Sequence, residues 1–201
     1  MSKPDAFYPP KEEFGKAAAA NYRPKPFYFI QTSPEGEVRI PCWSSDPELL
    51  ATLMLKLLAN LPDQVRVLVK VKAESAEDAD WHRYHGYCRK RAVEHAITKF
   101  RKFLLRDSGH QFLVRDPDSS EYFALDDYGI LWLYPSDKTR EELLAAMGFE
   151  NKIQELISDR GCWKRKLPDA QERLRELIDF LLLEDVETAK EPIKPDEKPP
   201  R

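Results

Sequence analysis

The chain has 201 residues, of which 42% are hydrophobic and 33% are charged, and its formal net charge is −3. This composition is typical of a soluble globular protein, and the small negative charge argues against a protein whose whole surface binds nucleic acid. Its apolar runs are far shorter than the roughly 20 residues that span a bilayer, and its N-terminus lacks a signal-peptide core. We therefore expect a cytoplasmic protein that does not contact a membrane.

Both ends of the chain are rich in proline. Such segments gain too little from apolar burial to offset the entropy lost on ordering. We expect residues 1–25 to form a partly ordered N-terminal arm, residues 26–185 to form a single domain, and residues 186–201 to form a disordered tail. A domain of about 160 residues buries enough surface to fold without a disulfide or a metal.

The first predicted element is a β-hairpin. Two β-rich runs, 26–32 and 37–43, flank the turn sequence SPEG at 33–36, where proline and glycine occupy positions that a type I turn favours. A helix is predicted to follow, because Asp46 is a good N-cap and Pro47 suits the first helical position.

A strand and a long helix come next. Residues 65–72 alternate valine with mainly charged residues, which predicts a strand with one packed and one wet face. Residues 75–107 carry acids early and bases late, and Gly109 follows, as expected of a helix. Unbroken, this helix would run roughly 46 Å, which exceeds the diameter of such a domain, so we predict a bend near Gly86.

The last part of the domain is predicted as a meander followed by helices. Turn-forming sequences separate strands at 110–115, 121–125 and 130–134. The remaining helices are predicted at 138–147, 151–160 and 168–184. The order β-β-α-β-α-β-β-β, followed by helices, indicates an α+β fold: a mainly antiparallel sheet of about six strands, with helices packed on it and a C-terminal helical segment.

The sequence DWHRYHGYCRKR, residues 80–91, sets two histidines and a cysteine three residues apart. On a helix, His82 and Cys88 would be about 9 Å apart along the axis, too far to share one zinc ion. Cys42 and Cys162 add no recognisable ligand motif, and all three cysteines are expected to be reduced thiols. We predict no metal site, with the histidines at the rim of an ordinary helix.

The predicted helix 83–106 has eight basic residues and one acid. Most of its basic residues fall on one half of the helix, opposite an apolar half. Such a face binds nucleic-acid phosphates or an acidic protein, or is merely solvated and complements the helix dipole. The candidate phosphate-binding residues are Lys90, Arg91, Lys99, Arg101, Lys102 and Arg106.

No catalytic or cofactor motif occurs in the sequence. The seven glycines all stand singly, which excludes dinucleotide-binding loops, P-loops and the nucleophile elbow. We therefore expect no cofactor and no catalytic residue. The enzyme alternative would need a site assembled from scattered residues such as His82, His85, Cys88 and Cys162. A pocket in which an imidazole meets a thiol or a carboxylate would support that alternative.

The sequence YGILWLY, residues 128–134, predicts a strand that is apolar on both sides. Either the C-terminal helices cover its aromatic side, or that side forms an exposed patch with the neighbouring strand of the meander. Exposed Trp and Tyr on a rigid sheet are typical of a protein-binding hot spot. The candidate partner-binding residues are Tyr122, Trp132 and Tyr134.

Two functional hypotheses follow. The first is a non-catalytic, cytoplasmic protein-binding module that acts as an adaptor, inhibitor or regulator through this aromatic sheet surface. The alternative is a nucleic-acid-associated protein that binds phosphates through the basic face of helix 83–106. Another protein is thus the expected partner, and nucleic acid is the alternative one.

Overall fold

The computed structural model describes residues 25–33, 36–72, 81–154, 156 and 167–186. The predicted tail from 187 onwards, nearly all of the predicted N-terminal arm, and half of the predicted helix 151–160 lie outside the described residues. The described residues of 151–160 are not helical, because Asn151 belongs to a strand and 152–154 and 156 have no regular structure. Ser75, the predicted N-cap of the long helix, also lies outside them. The assignment of 26–185 to a single domain stays a prediction.

The described residues form ten strands and five helices, numbered here in chain order. The strands are β1 Phe27–Tyr28, β2 Gln31–Thr32, β3 Val38–Trp43, β4 Gln64–Lys72, β5 Trp81–Arg89, β6 His110–Arg115, β7 Tyr122–Leu125, β8 Leu131–Tyr134, β9 Glu150–Asn151 and β10 Glu184–Val186. The helices are α1 Pro47–Asn60, α2 Lys90–Lys99, α3 Arg101–Arg106, α4 Lys138–Ala146 and α5 Ala170–Leu181. No helix in this part of the chain is long and apolar enough to cross a membrane.

All ten strands belong to one mixed sheet, in the order β10-β5-β4-β6-β7-β8-β3-β1-β9, with β2 also on β3. Every pairing is antiparallel except β1 with β9. The α+β class is therefore confirmed, but the prediction of about six strands is too low. The sequence gives no alternation that reveals β9 or β10, because each has only two or three residues.

Several predicted elements form as expected. The Asp46 side chain accepts a hydrogen bond from the Glu48 backbone N–H, and α1 begins at Pro47. The Gly36 N–H donates to the Ser33 carbonyl across the hairpin turn, with Gly36 at φ +85°. The first strand of that hairpin is split, because β1 and β2 pair with β3 separately. The three strands of the meander are confirmed.

The helix predicted at 75–107, with a bend near Gly86, is wrong over its described first part, since Gly86 lies within a strand. Residues Trp81–Arg89 form β5, which pairs with β4 along its full length. Aromatic residues favour a strand, and the edge of the long strand β4 supplies hydrogen-bond partners that the sequence pattern does not reveal. The helical part begins at Lys90 and is interrupted at Phe100.

The main core lies on one face of the sheet. In β4, Val65, Val67 and Val69 are buried and contribute to one apolar cluster with residues of all five helices. A smaller second cluster, formed by Phe27, Trp43, Ile130 and Leu156, covers only one end of the opposite face. The C-terminal helix α5 packs on α2 and β5, so it does not cover the aromatic side of β8.

Candidate functional site

The face of the sheet opposite the main core carries the three predicted partner-binding residues, and we call it the open face. Tyr122 and Tyr134 are directly paired across β7 and β8, and their rings stack with centroids 5.3 Å apart. Trp132 donates its Nε1–H to Asp126 Oδ2 at 2.8 Å, and the Arg39 guanidinium lies 5.4 Å from the Trp132 ring centroid. All three aromatic side chains are half-buried. The predicted patch therefore exists, but its rings already contact one another or their neighbours.

A mainly apolar row crosses the middle of the open face. Each residue of this row is the register partner of the next one on the neighbouring strand, in the order β5, β4, β6, β7, β8 and β3. The row consists of His85, Leu68, Leu113, Ala124, Trp132 and Pro41. Since adjacent strands are about 4.8 Å apart, the row is about 24 Å long. This length is available for contact with an extended or helical segment.

A second row, on one side of the apolar row, consists of arginine and tyrosine residues. Its register runs from β5 to β8 through Tyr87, Arg66, Arg115, Tyr122 and Tyr134. Tyr87 is 61% exposed, whereas the others are half-buried. Burial raises the pKa of Tyr122, and the nearby Arg39 charge opposes that rise. Arginine and tyrosine are the residue types most enriched at protein-binding hot spots.

A third row, on the other side of the apolar row, is polar and basic. Lys70 is paired with Arg83 on β5 and with Gln111 on β6. Burial lowers the pKa of Lys70, and the neighbouring Arg83 charge lowers it further. Like charges directly opposite each other on a sheet are destabilising. An anionic group placed beside them would reduce this repulsion.

Most acidic side chains within the described part of the open face have a partner, such as Glu37, which lies 3.9 Å from Arg39, but Glu184, paired with His85 of β5, is exposed. Asp126 accepts hydrogen bonds from Trp132 and from the backbone N–H groups of Tyr128 and Ile130. Asp127 is buried and accepts from Gln111. The part of the open face formed by β4, β5 and β6 is therefore basic, although the whole chain has a net charge of −3.

Two nitrogen atoms on the open face are buried without a hydrogen-bond partner: Arg39 Nε and His85 Nδ1. Leaving a buried polar nitrogen unpaired costs roughly 1–3 kcal/mol. Arg39 also lines a depression of about 260 Å³ whose floor includes Leu68, Leu113 and Trp132. Arg39 Nε lies 3.9 Å from Glu37 Oε2, an ion pair too long to be a hydrogen bond, so an acceptor group entering this depression would complete the hydrogen bonding of Nε.

The predicted partner-binding site contained only aromatic residues and did not include the basic residues of the open face. A signal was present, since Arg66 and Lys70 lie on the predicted wet side of a strand. Nothing in the sequence places that side next to Tyr122, because β4, β6 and β7 become neighbours only through the sheet order.

The six predicted phosphate-binding residues all lie on α2 and α3, and several already have intramolecular roles. Lys90 Nζ donates to the carbonyls of Ala59 and Leu61, the C-terminal end of α1. Lys99 lies over the rings of Phe100 and Phe180, at 4.9 Å and 5.0 Å from their centroids.

The other four differ in their surroundings. Arg101 pairs with Glu48 on α1, and Arg106 also has an interaction partner. Arg91 and Lys102 are exposed. Phosphate binding by this face stays a prediction, now confined to residues 90–106.

The histidine–cysteine stretch does not form one site. Because β5 is a strand, His82 and Cys88 lie on one face and His85 on the other. His82 and Cys88 are also about 20 Å apart along the strand, farther than the helix would have placed them. Within the described residues, no group of three or more His, Cys, Asp or Glu side chains could hold a metal ion. Cys162 lies outside those residues.

Both described cysteines are buried thiols. Cys42 Sγ donates to the Leu131 carbonyl at 3.0 Å, and Cys88 Sγ donates to the Leu181 carbonyl at 3.4 Å. Burial raises the pKa of Cys88 to about 11, and it raises the pKa of Cys42 further. A thiolate nucleophile therefore does not form at either residue near neutral pH.

We expect neither Cys42 nor Cys88 to react with iodoacetamide in the native protein at pH 8. The reagent needs a thiolate, and burial disfavours the thiolate at both positions. Peptide mass spectrometry after a timed exposure measures this residue by residue. Rapid alkylation of Cys88 without unfolding would contradict the burial described here, and the same reaction in denaturant serves as the control.

A separate pocket of about 520 Å³ lies on the helix side, where β4, β5 and β6 meet α3 and α5. One wall contains Asp107 and His110, whose side chains are each only 2% exposed and whose Oδ1 and Nδ1 atoms are 3.4 Å apart. An imidazole and a carboxylate thus meet at a pocket, the arrangement that would support an enzyme. His82 of the histidine–cysteine stretch also lines this pocket, whereas His85 lies on the other face of the sheet.

The Asp107 carboxylate has a clear structural role. Its Oδ1 accepts the Gly109 N–H and its Oδ2 accepts the Leu167 N–H, each at 2.8 Å. Burial alone would raise the pKa of Asp107, but these hydrogen bonds and the one from His110 outweigh burial and lower it. Asp107 therefore fastens the segment before α5 to the loop before β6.

The chain matches no protein-family model, no curated protein and no solved structure, so its function must be argued from the open face and the pocket themselves.

Proposed function

We propose that this protein binds another protein, and that its open face holds an acidic, amphipathic segment of that partner. The observation that carries the proposal is the register of the open face, in which an apolar row lies between two basic rows. Apolar side chains of the partner would contact Leu68, Leu113 and Ala124. Its carboxylates would reach Arg66 and Arg115 on one side and Lys70 and Arg83 on the other.

Charge complementarity supports an acidic occupant. Each arginine presents a planar fork that binds a carboxylate in two parallel hydrogen bonds. The Nε of Arg39, which makes no hydrogen bond and lies 3.9 Å from Glu37, would take part in the same way. An acidic partner would also relieve the repulsion between Lys70 and Arg83. These gains come in addition to burial of the apolar row.

The arrangement of the aromatic rings favours a protein over single-stranded nucleic acid. Nucleic-acid platforms offer free aromatic faces on which successive bases stack. Here Tyr122 and Tyr134 stack on each other, and Arg39 lies over the ring of Trp132. The middle of the surface is largely aliphatic. Such a surface suits leucine-like side chains better than bases.

The test uses the full chain and two probes of the same charge sign. One probe is an amphipathic helical peptide of about 16 residues, leucine on one side and glutamate on the other, long enough to span the 24 Å row. The other is a single-stranded oligothymidylate. Fluorescence anisotropy at low and physiological ionic strength gives both affinities.

Two charge-matched variants separate the surfaces. The open-face variant carries Arg66→Glu and Arg115→Glu, and the helix variant carries Arg91→Glu and Lys102→Glu. We expect the open-face variant to bind the peptide at least about tenfold more weakly and the helix variant to bind it unchanged. If the open-face variant fails to fold by circular dichroism, the pair Arg66→Gln and Arg115→Gln replaces it.

Three results would overturn the proposal. The first is the absence of saturable peptide binding. The second is tighter binding of the oligothymidylate than of the peptide, with loss in the open-face variant, which would make the open face a nucleic-acid surface. The third is loss of oligothymidylate binding in the helix variant alone, together with no peptide binding, which would support the basic face of α2 and α3 instead.

A further inference from the structure

The pocket beside Asp107 and His110 lies on the opposite side of the sheet from the open face and is independent of the proposed protein-binding role. Its volume of about 520 Å³ is within the range that small-molecule ligands occupy. It is formed where the ends of three strands meet two helices, so residues distant in sequence line it. We infer that this pocket binds a small organic carboxylate with an apolar, ring-sized body.

The apolar walls account for the body of the ligand. Val71 from β4, Phe103 from α3, and Leu174 and Ile178 from α5 line the pocket. These side chains come from three elements that pack on one another, so the walls do not depend on a single loop. An aromatic or short aliphatic group would replace water against them, worth about 25 cal/mol for each Å² of apolar surface removed from water.

His110 supplies the first polar group. Its side chain is 2% exposed and stacks on the Phe103 ring, with centroids 4.3 Å apart. The Nδ1 atom of His110 is hydrogen-bonded to Asp107, whereas its Nε2 atom is buried without a hydrogen-bond partner. An imidazole with a proton on each ring nitrogen donates through both of them, here through Nδ1 to Asp107. Nε2–H would then donate to a ligand carboxylate.

Cationic side chains at the pocket supply the rest of the charge complementarity. The His82 and Arg175 side chains line it, and within the described part of the chain neither is ion-paired; Lys72 also borders the pocket, but the alternation of β4 puts its side chain on the open face. The acid among the described lining residues is Asp107, and its oxygens already accept two backbone N–H groups and His110. A second anion can therefore bind without facing an unpaired carboxylate.

The experiment compares 3-phenylpropionate with its uncharged analogue 3-phenylpropionamide on the full chain. Isothermal titration calorimetry gives both affinities, and the NMR signal of the His110 imidazole reports contact directly. We expect the carboxylate to bind at least about tenfold more tightly, because a charge-assisted hydrogen bond contributes about 1.5–3 kcal/mol. We also expect the carboxylate, but not the amide, to shift the His110 signal strongly.

Three variants locate the binding. His110→Phe keeps the stacked ring but removes Nε2, so it should weaken carboxylate binding to the level of the amide. Arg175→Gln should weaken it severalfold. Arg173→Gln is the matched control, since Arg173 is on the same helix but pairs with Asp169 and Glu176 and does not line the pocket. Leu174→Trp should block both probes by filling the pocket.

The inference would be overturned if the two probes bound equally, or if neither bound with saturation. It would equally be overturned if Arg173→Gln weakened binding as much as Arg175→Gln, or if folded Leu174→Trp protein still bound the carboxylate. None of these results bears on the open face, whose test uses different probes and different residues.

Discussion

Replacement of Phe112 by alanine is expected to lower the free energy of unfolding by about 3–5 kcal/mol, whereas Leu113→Ala should lower it by about 1 kcal/mol. Phe112 is 0% exposed in the centre of the sheet, paired with Val69 and Leu125 and covered by the helices. Leu113, its immediate neighbour on β6, points to the open face and is half-buried. Urea unfolding followed by tryptophan fluorescence measures both values.

The comparison of the two variants tests the open face itself. If Leu113→Ala cost as much as Phe112→Ala, residue 113 would be covered by part of the chain outside the described residues. The proposed binding surface would then be an internal interface. An unchanged m-value in both variants is the control that the unfolding transition stays comparable.

The second large effect is expected at Asp107. Asp107→Ala should lower the free energy of unfolding by about 3 kcal/mol, because it leaves the Gly109 and Leu167 N–H groups without their charged acceptor in a buried site. Asp116→Ala is the matched control. Asp116 also accepts the N–H two residues ahead, that of Asp118, but it is exposed to solvent. Its replacement should have a much smaller effect.

The pH dependence of the free energy of unfolding tests the hydrogen bonds of Asp107 independently. Its pKa is lower in the folded protein than the ordinary value of 3.8, so the ionised carboxylate stabilises the folded state above about pH 4. This contribution is lost as the pH falls through the lowered value. Asp107→Asn should therefore flatten the decline in stability below pH 4. An identical acid transition in the wild-type protein and Asp107→Asn would contradict the assigned hydrogen bonds.

Elements that are specified by residues close together in the sequence were predicted correctly. The N-cap at Asp46, the alternation in residues 65–72 and the turns of the meander all act over a few residues. The structure confirms each of them. The error at Trp81–Arg89 has the opposite origin. Its charges fit a helix, but nine residues of β4 offer a complete set of strand partners.

Placement of the aromatic residues was only partly predictable. Alternation correctly put Trp132 and Tyr134 on one side of β8 and the leucines on the other. The alternative in which α5 covers the aromatic side of β8 is wrong, because the apolar side of α5 joins the main core through Leu177 and Leu181. Leu156, from the predicted helix 151–160, does pack against Ile130 and Trp132. Which face a helix packs on depends on chain connections and steric fit, and neither is encoded in the helix's own periodicity.

The sequence by itself determined the α+β class, the lone glycines that exclude phosphate-binding loops, and the capped ends of several elements, because each depends on residues near one another in the chain. Only the tertiary structure decided which residues share a surface. It brought Arg66, Arg115 and Tyr122 into one row and set His110 against Asp107 beside helix α5. Both arrangements arise from strand order and helix packing, which are set by contacts between segments far apart in the sequence.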